Sequence, residues 1–301
     1  MLVSKTWNYN INWRKDEKNA SFTHSCKTGN LRIVHRLLRD KKVDPSFRNN
    51  TALHWAVLHR HFDVITLLLE DGRVDPSISN NVLIRGASYR GYTYLVKLLL
   101  LSDRVDPSSY CNQALNFACA NGHLDVVDRL LNAKRLVLSK DNNSALFVAS
   151  ENGHHDVVKR LLEDKRLDPS TCFNAPIRLA CENGHPAVVE LLLQDARVDP
   201  SVDDNIAIRS ASRNGHLSVV KRLLLDARVD PTAGGDKSAI LLATYNLHFS
   251  VVERLLMDER IDPKCLYAME RIFYQASCIK RKIKKSFTKL LRTFTRGKSN
   301  T

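Results

Sequence analysis

The chain has 301 residues, of which 44% are hydrophobic and 26% charged, and its formal net charge is +14. The longest leucine run, Leu98 to Leu101, is far shorter than the ~20 apolar residues of a membrane helix, so we expect no transmembrane span. Seven cysteines form no Cys-x-x-Cys pair and the start lacks a signal-peptide pattern, which predicts a cytoplasmic or nuclear, not a secreted, protein.

A regular repeat organises the chain. Asp-Pro pairs begin at Asp44, Asp75, Asp106, Asp168, Asp199, Asp230 and Asp262. The spacing is 31 residues, with one pair replaced by Val137-Leu138 and one residue inserted late. Units this small must stack on their neighbours to bury an apolar face. We predict an N-terminal cap at 1–19, an array of about eight units at 20–263, and a basic helical cap or tail at 264–301.

Each unit contains the pattern of two short helices. The first carries an alanine column, which predicts close contact with another backbone: Ala56, Ala87, Ala118, Ala149, Ala180, Ala211 and Ala243. The second carries Val-Val followed by Leu-Leu, as at 157–162. Between them, glycine at Asn-Gly-His predicts a tight turn. Cys119 and Cys181 fall in a column of small residues and are predicted to be buried.

The connector that follows the second helix reads Arg-Val-Asp-Pro-Ser. Proline favours the second position of a β-turn. An asparagine column then precedes the next helix, and we expect it to adopt positive φ at that corner: Asn50, Asn81, Asn112, Asn143, Asn174 and Asn205.

The succession of helix, turn, helix and extended turn, with Thr-Ala-Leu-His-Trp-Ala at 51–56 and Asn-Gly-His-Leu at 214–217, resembles the ankyrin repeat. The usual ankyrin unit has about 33 residues, and the shortfall here falls in the connector. The resemblance covers residues 20–263 and implies an all-α solenoid of helix-turn-helix units with terminal caps. Short units with Val-Asp-Pro-Ser look like those of large DNA viruses and protists.

Neither metal binding nor catalysis is favoured. Histidines form a column, His123, His154, His185, His216 and His248. Neighbouring helix pairs lie ~8–10 Å apart, too far for histidines of adjacent units to share a zinc ion at ~2 Å; the resemblance implies that this histidine braces the turn. No phosphate loop or nucleophile elbow is present. We expect no enzyme activity, no cofactor, no metal and no small-molecule substrate.

A partner protein is the predicted ligand of the array. In ankyrin proteins the first helices and turn tips line the concave surface, where partners bind, and aromatic residues and arginine dominate binding hot spots. The candidate partner-binding residues are Phe47, Arg48, Trp55, Tyr89, Tyr110, Phe117, Phe147, Arg178 and Arg209. We expect a monomeric, non-enzymatic scaffold or adaptor.

The C-terminal segment 264–301 has eleven lysines and arginines and one glutamate, which places +10 of the charge there. Three interpretations remain open: a degenerate capping unit, a basic amphipathic helix for an anionic membrane or a partner groove, and a nuclear-import or nucleic-acid patch. The basic candidates are Lys280, Arg281, Lys282, Lys284, Lys285, Lys289 and Arg292. A nucleic-acid or anionic-membrane binder acting through this tail is therefore the alternative function.

Overall fold

The computed structural model of the chain describes residues 15–138 and 143–262, and these contain α-helices and no β-strand. The helices are α1 (Lys15–Lys27), α2 (Leu31–Leu38), α3 (Phe47–Leu58), α4 (Phe62–Glu70), α5 (Ile78–Tyr89), α6 (Thr93–Leu100), α7 (Ser109–Ala120), α8 (Leu124–Leu131), α9 (Ser144–Glu151), α10 (His155–Leu162), α11 (Thr171–Asn183), α12 (Pro186–Leu193), α13 (Val202–Arg213), α14 (Leu217–Leu223), α15 (Ala239–Tyr245) and α16 (Phe249–Leu256). A short 3-10 helix, Gly235–Lys237, lies at the late insertion.

The chain divides into two compact units. Unit 1 comprises Met1–Ala118 and Asp125–Val137, and unit 2 comprises Cys119–Leu124 and Leu138–Thr301, each taken over its described residues. In unit 1, α3 packs on α1 and α4. In unit 2, α11 packs on α9, α12 and α13. Within each unit a first helix therefore contacts both its own second helix and the first helix of the neighbouring repeat.

The alanine column lies in the core, as predicted. All seven alanines are at most 1% exposed, and the Val-Val and Leu residues of the second helices that face them are buried. Cys119 and Cys181 are fully buried, and this burial raises the pKa of both thiols. The thiolate is the reactive form of cysteine, so both side chains act as small apolar packing groups.

The turn between the two helices needs a left-handed residue. Gly184 has φ 78°, and a Cβ at this position would lie 2.5 Å from His216 Nδ1 of the next repeat. Glycine is thus required twice, by the backbone and by the histidine above it. Two repeats place other residues here, Arg60 at φ 59° and Leu247 at φ 63°.

Replacing Leu247 by glycine is expected to stabilise the protein by about 1 kcal/mol, because a left-handed L-residue costs about that much and glycine does not. Gly184→Ala is the matched opposite change and should destabilise by more, since its methyl group also meets the His216 ring. Urea denaturation of both variants measures the difference. Lower stability of Leu247→Gly would contradict the expectation.

The Asp-Pro connector forms the predicted β-turn. The Phe47 amide donates to the Asp44 carbonyl at 3.2 Å, with Pro45 at the second position. The Asp44 carboxylate closes the same turn, since it accepts hydrogen bonds from the Ser46 amide at 3.0 Å and from the Ser46 hydroxyl at 2.6 Å. Later connectors repeat this arrangement, which explains why Asp, Pro and a hydroxyl residue recur together.

The arginine of each connector ties its repeat to the preceding one. Arg197 is held by both oxygens of Asp195 and donates to the Leu167 carbonyl at 3.0 Å and to the Leu162 carbonyl at 3.3 Å. Arg73, Arg228 and Arg260 make the equivalent bonds 30 to 36 residues back along the chain. One bond of each arginine thus satisfies a carbonyl at the end of a second helix, and the other satisfies a carbonyl of the preceding connector.

Acid should weaken these connectors. The hydrogen bond from its arginine lowers the pKa of Asp195, and the same cause lowers the pKa of Asp71, Asp164, Asp226 and Asp258. A carboxyl with a lowered folded-state pKa adds stability above its unfolded pKa of about 4 and loses it as pH falls further. Urea midpoints should fall as the pH drops below about 4. The loss should be smaller in Asp195→Asn, which lacks one such carboxyl; an identical pH profile in that variant would contradict this.

Five first helices, α3, α5, α7, α11 and α13, begin with a left-handed turn that lies within the bounds given above. Five of the six asparagines predicted at positive φ adopt it, each as the third of three consecutive left-handed residues, as at Arg48, Asn49 and Asn50. The prediction is wrong for Asn143, whose φ is −86°. Asn143 instead uses its amide Nδ2 to bond the Asp168 carbonyl and Thr171 Oγ1 at 3.1 and 2.8 Å, so the hydrogen bonds, not the conformation, account for asparagine there.

Candidate protein-binding surface

The left-handed turns project side chains into solvent. In each turn the first two residues are exposed and the third, the asparagine, is buried. The exposed pairs are Arg48 and Asn49, Ser79 and Asn80, Tyr110 and Cys111, Cys172 and Phe173, and Asp203 and Asp204. Left-handed backbone is costly for residues other than glycine. Since the five turns nevertheless share this one conformation, they hold side chains that vary between repeats at equivalent places on the surface.

In the five first helices that begin with this turn, a side chain four residues after the asparagine holds the turn closed. Arg178 Nη1 donates to the Cys172 carbonyl at 3.4 Å, and Arg209 Nη1 donates to the Asp203 and Asp204 carbonyls at 3.3 and 3.2 Å. Their equivalents also bond carbonyls of their own turns: His54, Arg85 and Asn116. Arg178 and Arg209, both predicted to bind a partner, are half-buried and support the turn tips beside them.

The predicted aromatic residues of unit 1 lie in contact with cations or with each other. Tyr89 is 53% exposed and meets Phe117 edge to face, with ring centroids 5.5 Å apart. Tyr110 is 61% exposed, and Arg85 Cζ lies 4.8 Å from its ring. Aromatic contacts of this kind fix the rings in place without burying them.

Trp55 is half-buried. Lys27 Nζ lies 4.3 Å from its ring centroid, and His59 stacks on it at 5.7 Å. Phe47 is half-buried under Arg48, whose Cζ lies 5.1 Å from the ring. Trp55 and Arg48 also line one open groove with Asn49, Thr51, His54 and Leu58. Phe147, in unit 2, is half-buried on α9.

The histidine column braces the turns. His185 Nε2 lies 2.8 Å from the Glu151 carbonyl, 34 residues earlier, and His61, His154 and His216 make the same bond at 2.9–3.0 Å. The structural role implied by the resemblance is therefore confirmed for these four residues. Among the residues that the structure describes, no three His, Cys, Asp or Glu side chains gather as a metal site would require.

The repeated helix pairs match a known family. The sequence model of the family described as "Ankyrin repeats (3 copies)" matches residues 2–80, 83–172 and 173–266. The chain belongs to the ankyrin-repeat family. The predicted all-α ankyrin-repeat solenoid is thereby confirmed, whereas the likeness to viral and protist repeats stays a prediction. No curated protein gives a significant match to the chain.

Some exposed residues of the ankyrin repeats were not among the residues predicted to bind a partner. Phe173 is 75% exposed at a turn tip, and Arg60 and Lys27 lie over the rings of Tyr92 and Trp55. Phe173 precedes the asparagine column, at a position that varies from repeat to repeat. This variation is the feature of the sequence that could have indicated Phe173. The cation partners could not be found in the same way, because their contacts join different repeats.

Other predictions about this ankyrin protein fall outside the described ranges. The basic tail residues 280–292 and most of the predicted N-terminal cap lie there, so the division into caps and array remains a prediction. Within the described ranges, no helix combines the length and apolar character needed to cross a membrane.

Proposed function

We propose that this chain is a non-enzymatic scaffold or adaptor that binds a protein partner through the first helices and turn tips of its repeats. Ankyrin repeats are generally protein–protein interaction modules and typically lack enzymatic activity. The observation that carries the proposal is the group of aromatic side chains at the surface of unit 1, centred on the exposed Tyr89 and Tyr110 and the half-buried Trp55. Large rigid rings offer contact area at little cost in conformational entropy.

The surrounding structure supports the same proposal. The rings lie on helices and on turns that hydrogen bonds hold closed, so binding would order few side chains. A protein that works in this way needs no ligand besides its partner, and we propose that it acts as a monomer in the cytoplasm or nucleus.

The double variant Trp55→Ala and Tyr89→Ala should weaken the partner complex by more than ~1 kcal/mol, about five-fold or more in affinity, with little change in melting temperature. Quantitative affinity capture from the cells that express the chain, followed by titration of the captured partner, measures this. The control is Leu101→Ala, which removes a 73% exposed apolar side chain at the C-cap of α6.

The alternative function predicts a different result in the same experiment. The segment 264–301 carries +10 of the charge, which favours contact with nucleic acid or an anionic membrane. If the double variant bound normally while deletion of 264–301 abolished binding, and if added salt weakened the complex steeply, the basic tail would replace the aromatic surface as the binding site.

A further inference from the structure

Helices α3, α5 and α7 of unit 1, with the turns that follow α3 and α5, carry an unbalanced charge. Residues 47–62, 78–92 and 109–118 contain no Asp or Glu, yet they include Arg48, Arg60, Arg85 and Arg90. Arg48, Arg60 and Arg90 are exposed and Arg85 is half-buried. Lys27, exposed at the end of α1, adds a fifth cation. We call these five residues, together with the rings that four of them contact and the exposed Leu58 and Tyr89, the basic aromatic surface.

Four of the five cations of this surface face rings instead of carboxylates. Arg60 Cζ lies 4.9 Å from the Tyr92 ring centroid, and the other three ring contacts, described above, are at 4.3–5.1 Å. Within the described residues, no salt bridge joins any of the five to an Asp or Glu. The connector arginines such as Arg197 differ, because each is paired with its own aspartate. The positive charge of the surface is therefore positioned but not compensated.

The corresponding helices of unit 2 carry charges of both signs. The position two residues after the alanine column is Leu58 in α3 and Tyr89 in α5, but Glu151 in α9, Glu182 in α11 and Arg213 in α13. The turn tip of α13 adds two further exposed acids, Asp203 and Asp204. Since both units share one backbone pattern, the difference cannot come from the needs of the fold and indicates separate binding properties.

We propose that the basic aromatic surface binds an acidic polypeptide segment, with Asp or Glu side chains at the arginines and apolar side chains against Trp55, Leu58 and Tyr89. This inference rests on the proposed protein-binding function and adds the chemistry of the partner. A carboxylate accepts two parallel hydrogen bonds from a guanidinium, and complementary charge speeds association and selects the partner.

An acidic peptide fits this surface better than single-stranded nucleic acid. Binding of bases without sequence preference uses open ring faces as stacking platforms. Here cations already cover one face of Trp55, Tyr92 and Tyr110, and Tyr89 presents its contact to Phe117 edge to face. Arg48 and Arg60 remain able to bind carboxylates because their donor nitrogens extend in the plane of the guanidinium, away from the ring contact. Arg85 contributes charge only, since its guanidinium already donates to Gln113 Oε1 and to the Ser79 carbonyl.

Selection of a random peptide display library on the full chain tests the proposal. Enriched peptides should be rich in Asp and Glu with interspersed apolar residues, and a fluorescent copy of an enriched peptide should bind about ten-fold or more weakly to Arg60→Gln/Arg90→Gln. The matched control, Arg32→Gln/Arg39→Gln, removes two exposed charges, one in α2 and one at its C-cap, and should bind normally. The affinity of the unaltered chain should also fall as salt is added.

Several results would overturn the inference. They are enrichment of neutral or basic peptides, no enrichment, equal binding by the two charge variants, and acidic peptides that bind the Arg60/Arg90 variant normally through the tail. Tighter binding of a single-stranded oligothymidine with the same dependence on Arg60 and Arg90 would overturn it in favour of nucleic acid. Neutral peptides that lose binding in Trp55→Ala/Tyr89→Ala would leave the proposed function standing, whereas peptides unaffected by that variant would count against the proposed site itself.

Discussion

Replacement of Leu192 by alanine should destabilise the protein by about 2–5 kcal/mol, because a buried leucine is deleted and the surrounding helices cannot collapse into the hole. Leu192 is fully buried on α12, which packs against α10, α11 and α14 within unit 2. Leu161 on α10 occupies the same repeat position, is also fully buried, and should respond similarly.

Leu225 provides the matched control. It is 76% exposed just beyond α14, so Leu225→Ala deletes the same atoms without making a cavity and should change stability by less than ~0.5 kcal/mol. Urea denaturation followed by circular dichroism measures all three variants. Because each repeat contacts only its neighbours, the Leu192→Ala transition should also broaden or split as part of the array unfolds first. Similar stability of the Leu192 and Leu225 variants would contradict the assignment of this column to the core.

The helix pairs could be predicted from the sequence because their signals are local and repeated. Alanine three residues after Leu or Ile fixes one face of a helix, and glycine in the turn marks where it ends. Seven superimposed copies, each with buried alanine, removed the ambiguity that one short apolar segment would have left. The burial of Cys119 and Cys181 followed from the same alignment.

The connectors could be predicted only in part, because contacts between repeats determine them. Propensity alone accounts for left-handed Asn112 but not for Tyr110 and Cys111, which adopt the same conformation before it. Likewise, the sequence shows Arg197 only as one more charged residue. The stacking of the repeats places two carbonyls of the previous repeat beside its guanidinium.

From the sequence, the candidate surface could be predicted only as a set of positions that vary from repeat to repeat. The sequence indicates that Trp55, Tyr89 and Tyr110 break the repeat pattern, but it does not show which cation meets which ring. Those pairings join residues 25 to 32 positions apart. The proposed binding residues Lys27 and Arg60 can therefore be identified only when the repeats are stacked.

The asparagine column offers the second large effect. Asn205 is 6% exposed with φ 58°, and its Oδ1 accepts a hydrogen bond from the Asp230 amide at 2.7 Å. Asn205→Ala should destabilise the protein by about 2–4 kcal/mol, because it leaves a partly buried amide without its acceptor and forces alanine into a left-handed conformation.

A comparison with Asn19 separates the contribution of the hydrogen bond from that of the left-handed conformation. Its Oδ1 accepts the equivalent bond from the Asp44 amide at 2.9 Å, but Asn19 lies inside the right-handed helix α1. At Asn205, glycine should therefore be less damaging than alanine, since it tolerates positive φ. At Asn19, glycine should be more damaging by about 1 kcal/mol, since it lowers helix propensity. Urea denaturation of the four single variants tests this reversal; the same order at both positions would show that the hydrogen bond alone, without the left-handed backbone, selects asparagine in this column.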